Sequence, residues 1–188
     1  MSDICQEQDE TVRLVRASQA GDRVAFDRLV QLHQDRAMRV VFSVLGNVHD
    51  AAEVVQEAFL KGYLQIGSLA SVESFRFWIL RIVVNEAGSR HRVLRRRAAM
   101  MRVFAAANAR RRSGEPHEKE SARDLQVAVE RALVRLTASQ AKAIALFGIE
   151  DLPHAEVARI MGCSDKATRW HVHRARQKLR LLLKEYLE

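Results

Sequence analysis

The chain has 188 residues, a formal charge of +8 and 48% hydrophobic residues, with only 8 Gly and 2 Pro. That is enough for one ordinary domain or two small ones, and too apolar for disorder throughout. β-formers are sparse, while Ala, Leu, Arg, Glu and Gln abound, which predicts an all-α fold. No apolar run nears the roughly 20 residues that span a bilayer, and the start MSDICQEQDE lacks the basic-then-apolar layout of a signal peptide. The expectation is a cytoplasmic chain with no membrane insertion. Cys5 and Cys163 stand far apart without ligand spacing, so neither a disulfide framework nor a metal site is indicated, and no cofactor is expected. A cationic excess of this size attracts polyanions, nucleic acid foremost.

A short helix is expected near Thr11 to Gln19. From Asp22 to Gly46, Phe26, Leu29, Val30, Ala37, Val40, Val41, Val44 and Leu45 recur at three and four, one continuous helical stripe with Asp22 as N-cap. A second stripe, from about Asp50 to Ile66, runs through Ala51, Val54, Val55, Ala58 and Phe59. A third, from about Ser74, uses Phe75, Trp78, Ile79, Ile82 and Val83. These predict one helical bundle over residues 1–95. Between Gly88 and Arg112 there are nine Arg and no acid. The apolar order fades from Arg95, and Ser113-Gly114-Glu115-Pro116 cannot continue a helix, so a flexible basic linker is expected over 96–120. Leu125, Val129, Ala132, Leu133 and Leu136 then open a second bundle over 121–188, and Thr137 with Gln140 forms a capping box.

Residues Pro153 to Arg176 have the layout of a helix-turn-helix. Ala155, Val157, Ala158, Ile160 and Met161 lie in a first helix, Gly162 supplies the tight turn, and Ser164 caps a second helix. Thr168, Val172, Ala175, Leu179, Leu182 and Tyr186 share the inward side of that helix. Lys166, Arg169, Trp170 and His173 are left on another face near its start, the end that enters a major groove. Lys and Arg there donate to guanine acceptors and phosphates, and Arg174, Arg176, Lys178 and Arg180 suit backbone contacts. The plain alternative is a solvated basic face favoured by the helix dipole. His171 and His173, two apart, diverge rather than chelate.

Three ordered blocks make the chain resemble the extracytoplasmic-function sigma factors of the sigma-70 superfamily. DAAEVVQEAFL (Asp50 to Leu60) resembles the family's polymerase-binding segment, and FRFWILRIVVNEAGSRHR (Phe75 to Arg92) its promoter-melting segment. ALVRLTASQAKAIALF, the helix-turn-helix and HRARQKLR (His173 to Arg180) resemble the domain that reads the upstream, minus-thirty-five element. The resemblance implies a sigma factor that carries core RNA polymerase to promoter DNA, with no catalytic residues and two bundles as its fold. It implies that Asp50, Glu53, Gln56 and Glu57 dock on the polymerase's largest subunit. It further implies that the loop Gly67 to Ser74, with Arg76, Arg81 and Asn85, reads the minus-ten element. Arg90, Arg92 and the Arg95 to Arg97 run would hold the separated strand, since an extruded base needs a pocket and its phosphates need cations. In the second bundle Lys166, Arg169, Trp170, His171, His173, Arg174 and Arg176 would contact DNA. Membership also implies control by an anti-sigma factor, often membrane-anchored.

Some positions depart from the family pattern: Ser89 stands where Asp is usual, Thr137 where Pro is common, and Lys166, Ala167, Trp170 and His171 replace the usual Gly, Thr, Ser and Arg. These leave the fold intact but alter which base edges the reading helix can meet. Trp78 falls on the core stripe, whereas Phe77, on the opposite side, is the better stacking candidate. A conventional repressor would leave the acidic block unexplained, and an enzyme would need a P-loop, dinucleotide turn, HExxH or nucleophile elbow that the sequence lacks.

Overall fold

A computed structural model describes residues 2–109 and 121–186, with side chains over 8–104 and 125–186. The first bundle consists of α1 (Ser2–Gln19), α2 (Arg23–Leu45), α3 (Val48–Gln65) and α4 (Phe75–Ala109), with short 3-10 turns at Ile66–Ser68 and Val72–Ser74 between α3 and α4. The second comprises α5 (Ser121–Arg135), α6 (Ala138–Gly148), α7 (His154–Met161) and α8 (Asp165–Leu182), closed by a 3-10 turn at Lys184–Tyr186. No strand occurs among the described residues, as composition predicts.

The helix boundaries follow local chemistry. The Asp22 carboxylate accepts the Ala25 N–H at 3.1 Å and starts α2. Gly46 ends it in the left-handed region at φ 75°, and the Asn47 side chain then accepts from His49 and Asp50 to start α3. α6 opens on the full capping box: the Thr137 hydroxyl accepts the Gln140 N–H at 3.2 Å, and the Gln140 side chain accepts the Thr137 N–H at 2.9 Å.

The core of the first bundle is built around α4, whose Phe75, Ile79, Leu80, Val83, Val84 and Ala87 are buried. Phe75 is fully enclosed, its ring 5.3 Å from that of His33 on α2. Gly62 of α3 permits the close crossing, because a Cβ there would stand 2.9 Å from Ile79 Cδ1.

Two expectations are corrected. α1 begins at Ser2, well before Thr11. α4 continues through Arg95 to Ala109, where a flexible linker was expected from residue 96. Arg and Ala are among the strongest helix formers, and no Gly or Pro interrupts Arg90 to Ala109, so loss of the apolar stripe did not mean loss of helix. The Ser113-Gly114-Glu115-Pro116 punctuation lies outside the described residues.

The bundles are also packed together. Imidazole His91, fully buried on α4, donates from Nε2 to the Leu133 carbonyl of α5 at 3.0 Å. Gly46 abuts α5 so closely that a Cβ would lie 3.1 Å from the Glu130 Cα.

Burial, reinforced by the charges of Arg36 and Arg76, lowers the His33 pKa from 6.5 to about 4. The unfolded chain therefore takes up this proton first. The stability that neutral His33 confers is complete above pH 6.5 and is lost as pH falls to about 4, a change of about 3 kcal/mol at 1.36 per unit. Urea unfolding across that window should show this slope, flattened in His33→Gln; equal slopes in both proteins would refute the assignment. In the second bundle, Thr137→Ala should cost about 1 kcal/mol in the same assay and Thr137→Ser much less.

Candidate protein-docking and nucleic-acid interfaces

Positions 50, 53, 56 and 57, three and four apart, project from one face of α3. Glu53, Gln56 and Glu57 are exposed and Asp50 is half-buried. Arg90 of α4 reaches across this row: Nη1 donates to Asp50 Oδ1 at 2.9 Å and Nη2 to Glu53 Oε2 at 2.7 Å, with Glu57 Oε1 at 3.9 Å. The Glu53 hydrogen bond, with the Asp50 charge, raises the Arg90 pKa further. Such pairs at a surface contribute little stability, roughly a fraction of a kcal/mol each. Their effect is positional. One cation among three carboxylates holds them in register and leaves the edge negative. The sequence reading assigns Arg90 to the phosphates of a separated strand, whereas the fold places it in this acidic network.

A feature that the sequence reading missed lies beside the edge. Phe26, Val30 and Met38 of α2 and Val55, Phe59 and Leu60 of α3 line an open groove of about 650 Å³. Leu60 and Leu64 are 59% and 73% exposed. Both fall off the buried stripe of α3, and that displacement was the available signal.

In the first bundle the loop between α3 and α4 is pinned from α1: Gln19 Nε2 donates to the carbonyls of Ile66 at 3.0 Å and Leu69 at 2.9 Å. Ser71 donates to Glu73 at 2.9 Å and Ser74 to Ser71 at 3.1 Å, shaping the turn into α4. Trp78 packs against the core, its ring 5.8 Å from that of Phe75. Phe77 also lies partly against the core, with the Arg76 guanidinium 5.9 Å from its ring centroid, and so is less open than the sequence suggests. Arg81, Asn85 and Arg92 are exposed along α4. Asn85 Oδ1 accepts from Lys142 Nζ of the second bundle at 3.2 Å, and Arg92 donates to the Ser89 hydroxyl at 3.0 Å.

The helix-turn-helix has the expected helices, turn and caps, but Tyr186, expected on the inward side of α8, is exposed in the 3-10 turn beyond it. α7 ends at Gly162, in the left-handed region at φ 67°, and the Ser164 hydroxyl accepts the Ala167 N–H to cap α8. Thr168, Val172 and Ala175 are buried against the other helices. Lys166, Arg169, Trp170, His173, Arg174 and Arg176 are exposed, Trp170 by 54%. Arg169 Nε is held by Asp165 one turn earlier at 2.7 Å. Arg174 stands 5.9 Å from the Trp170 ring and Arg176 5.0 Å from that of Phe147, contacts that restrict long side chains otherwise free in solvent. His171 stands apart from this face. It is half-buried, its Nδ1 is withdrawn from solvent, and burial followed by the Lys142 charge lowers its pKa.

Comparison with known proteins agrees with this division. Sigma-70 region 2 matches residues 29–97 and sigma-70 region 4 matches residues 126–179. The ECF RNA polymerase sigma-E factor of Escherichia coli K12 is 30% identical over 173 residues, covering 88% of this chain and 90% of the relative. The RNA polymerase sigma-H factor of Pseudomonas aeruginosa is 29% identical over 184 residues, 94% of each chain. Among solved structures, CnrH in complex with the cytosolic domain of CnrY superposes with a TM-score of 0.65 at 24% identity, over 94% of this chain and 99% of that one. The sigma factor RpoE in complex with the anti-sigma factor NepR from Bartonella quintana gives 0.57 at 24% identity, over 85% and 96%. At such identities these two structures speak for the fold. With both sigma-70 regions in order and a relative matched along nearly its whole length, the chain belongs to the extracytoplasmic-function RNA polymerase sigma factors.

Proposed function

We propose that this chain binds core RNA polymerase through the α3 edge and directs it to promoters, reading and melting the minus-ten element with α4 and its preceding loop and reading the minus-thirty-five element with the start of α8. The observation that carries the reading is the pairing, on one chain, of a pre-arranged carboxylate row with a capped, solvent-facing basic helix. A repressor needs only the helix. The apolar groove beside Gln56 supports the docking role, because specific protein interfaces combine a desolvated apolar centre with a charged rim. Glu53 and Glu57 then steer a basic partner while Leu60 and Leu64 add buried area. The work is done by binding and positioning rather than by bond chemistry on protein side chains, and it takes place in the cytoplasm.

On α8, Lys166 and Arg169 read base edges, with Trp170 and His173 beside them, and Arg174 and Arg176 hold phosphates, a reading supported by the exposure of all six. In the first bundle Arg76, Arg81, Asn85 and Arg92 serve the minus-ten strand. Control by an anti-sigma factor, membrane-anchored in our reading, is supported by a second groove. Phe42 of α2 together with Val129, Leu133, Ile144, Ile149 and Leu179 of the second bundle line a mainly apolar groove of about 700 Å³. An amphipathic helix laid there would touch both bundles at once.

Run-off transcription with purified core polymerase is the direct test: initiation should depend on the chain. Glu53→Lys and Glu57→Lys should each weaken polymerase binding, by about tenfold, and leave helicity unchanged. Lys166→Ala or Arg169→Ala should relax selection in the upstream element by roughly 1 to 3 kcal/mol per lost bidentate contact, read by transcription from a promoter library. Absence of any start site with core polymerase would end the proposal.

A further inference from the structure

Past the core of the first bundle, α4 changes character without changing conformation. Leu94 still packs against the hydrophobic core and Ala98 is half-buried, and these two, with Met101 and Arg102, line a groove against α5. The other side of the helix carries Val93, Met100, Val103 and Phe104, exposed by between 42% and 70%. At about 3.6 residues per turn, Val93, Met100 and Phe104 fall within about 40° of one line, a ridge roughly 16 Å long. Apolar side chains scattered singly over a surface need no partner, but a contiguous exposed patch marks a surface that meets something.

The charges around the ridge say what kind of partner that is. Arg96 and Arg97, both exposed, lie on its two flanks, and from Gly88 to Arg112 the chain has nine Arg and no acid. An arginine so placed extends its guanidinium outward while its stem lies along apolar surface. The face therefore asks for anionic groups and hydrocarbon at adjacent depths. Nucleic acid offers phosphates, but its apolar surface is the flat base, and of the four exposed apolar side chains only Phe104 has a ring to stack on it. The headgroup layer of an anionic bilayer offers both, with phosphate oxygens outside and acyl chains just below. The helix lies on such a layer rather than through it, since no helix among the described residues is long and apolar enough to cross a membrane.

We propose that α4 between Val93 and Phe104 is a peripheral membrane-docking surface: Val93, Met100 and Phe104 dip into the interface of an anionic bilayer while Arg96 and Arg97 bind its phosphate groups. The three apolar residues belong neither to the polymerase edge nor to the promoter-reading faces proposed above. One short ridge with a basic rim gives modest, reversible attachment rather than a permanent anchor. Because each arginine adds electrostatic attraction only within a Debye length of the surface, the attachment requires anionic lipid and weakens with salt.

The test uses the full-length chain and lipid vesicles. In flotation, the wild type should rise with vesicles of phosphatidylglycerol and phosphatidylethanolamine, stay down with phosphatidylcholine, and be released from the former by about 0.5 M salt. Met100→Gln/Phe104→Gln should lower affinity for the anionic vesicles by at least about tenfold and leave run-off transcription unchanged. Lipids brominated along the acyl chain should quench the fluorescence of Phe104→Trp more than that of the wild type, whose Trp78 and Trp170 stand on the core and on α8. Circular dichroism checks that helicity is kept, and Phe104→Trp, which retains an apolar ring, still decides the matter if the double variant loses helix. A wild type that transcribes but does not float with anionic vesicles, or flotation that survives Met100→Gln/Phe104→Gln, overturns the proposal. A double variant that keeps vesicle binding but loses transcription or single-stranded DNA binding overturns it too, and assigns the ridge to polymerase or nucleic acid.

Discussion

One helix, α4, must satisfy two sets of neighbours, and most of the molecule is arranged around that demand. Its first turns bury Phe75, Ile79, Leu80 and Val83 against α2 and α3. Farther along, His91 meets the second bundle, while Gly88 lets Lys142 of α6 approach, a Cβ there lying 3.2 Å from Lys142 Cδ. Small or neutral groups at 88 and 91 make that crossing possible. Burial drives the imidazole of His91 toward its neutral form, which can donate to a carbonyl without carrying a charge into the interface.

The same helix explains how the proposed activities coexist on so small a chain. Its Arg90 is spent on Asp50, Glu53 and Glu57, organising the row proposed to face the polymerase. Its exposed Arg81 and Asn85, proposed to meet nucleic acid, lie here against the second bundle. In the proposed function the docking row belongs to α3, with Arg90 of α4 holding it, while promoter reading falls to α4 itself.

Much of this is legible in the sequence. Helical periodicity located α2, α3 and the start of α4 to within a few residues, because each buries one stripe and apolar spacing records that burial directly. Asp22, Thr137, Gly162 and Ser164 announced caps and turns through chemistry confined to neighbouring residues. The continuation of α4 to Ala109 was not legible, since Arg96 to Phe104 are largely exposed and leave no stripe, and only intrinsic propensity spoke for helix. Nor was the packing of one bundle on the other. Glu150 and His91 look like ordinary surface residues in sequence, and their burial depends on partners at distant positions. Arg90 shows the same limit: as part of an arginine-rich stretch it suggested phosphate binding, and only the fold brings it to three carboxylates.

The unexpected length of α4 has a mechanical side. Coiled as helix, residues 95–109 span about 22 Å at about 1.5 Å per residue; drawn out, the same stretch reaches about 50 Å at roughly 3.3 Å per residue. Between Arg96 and Phe104 no side chain is buried, so little packing opposes unwinding there. The tail of α4 is in effect a spool, storing slack that can be paid out in proportion to the gap the two bundles must bridge.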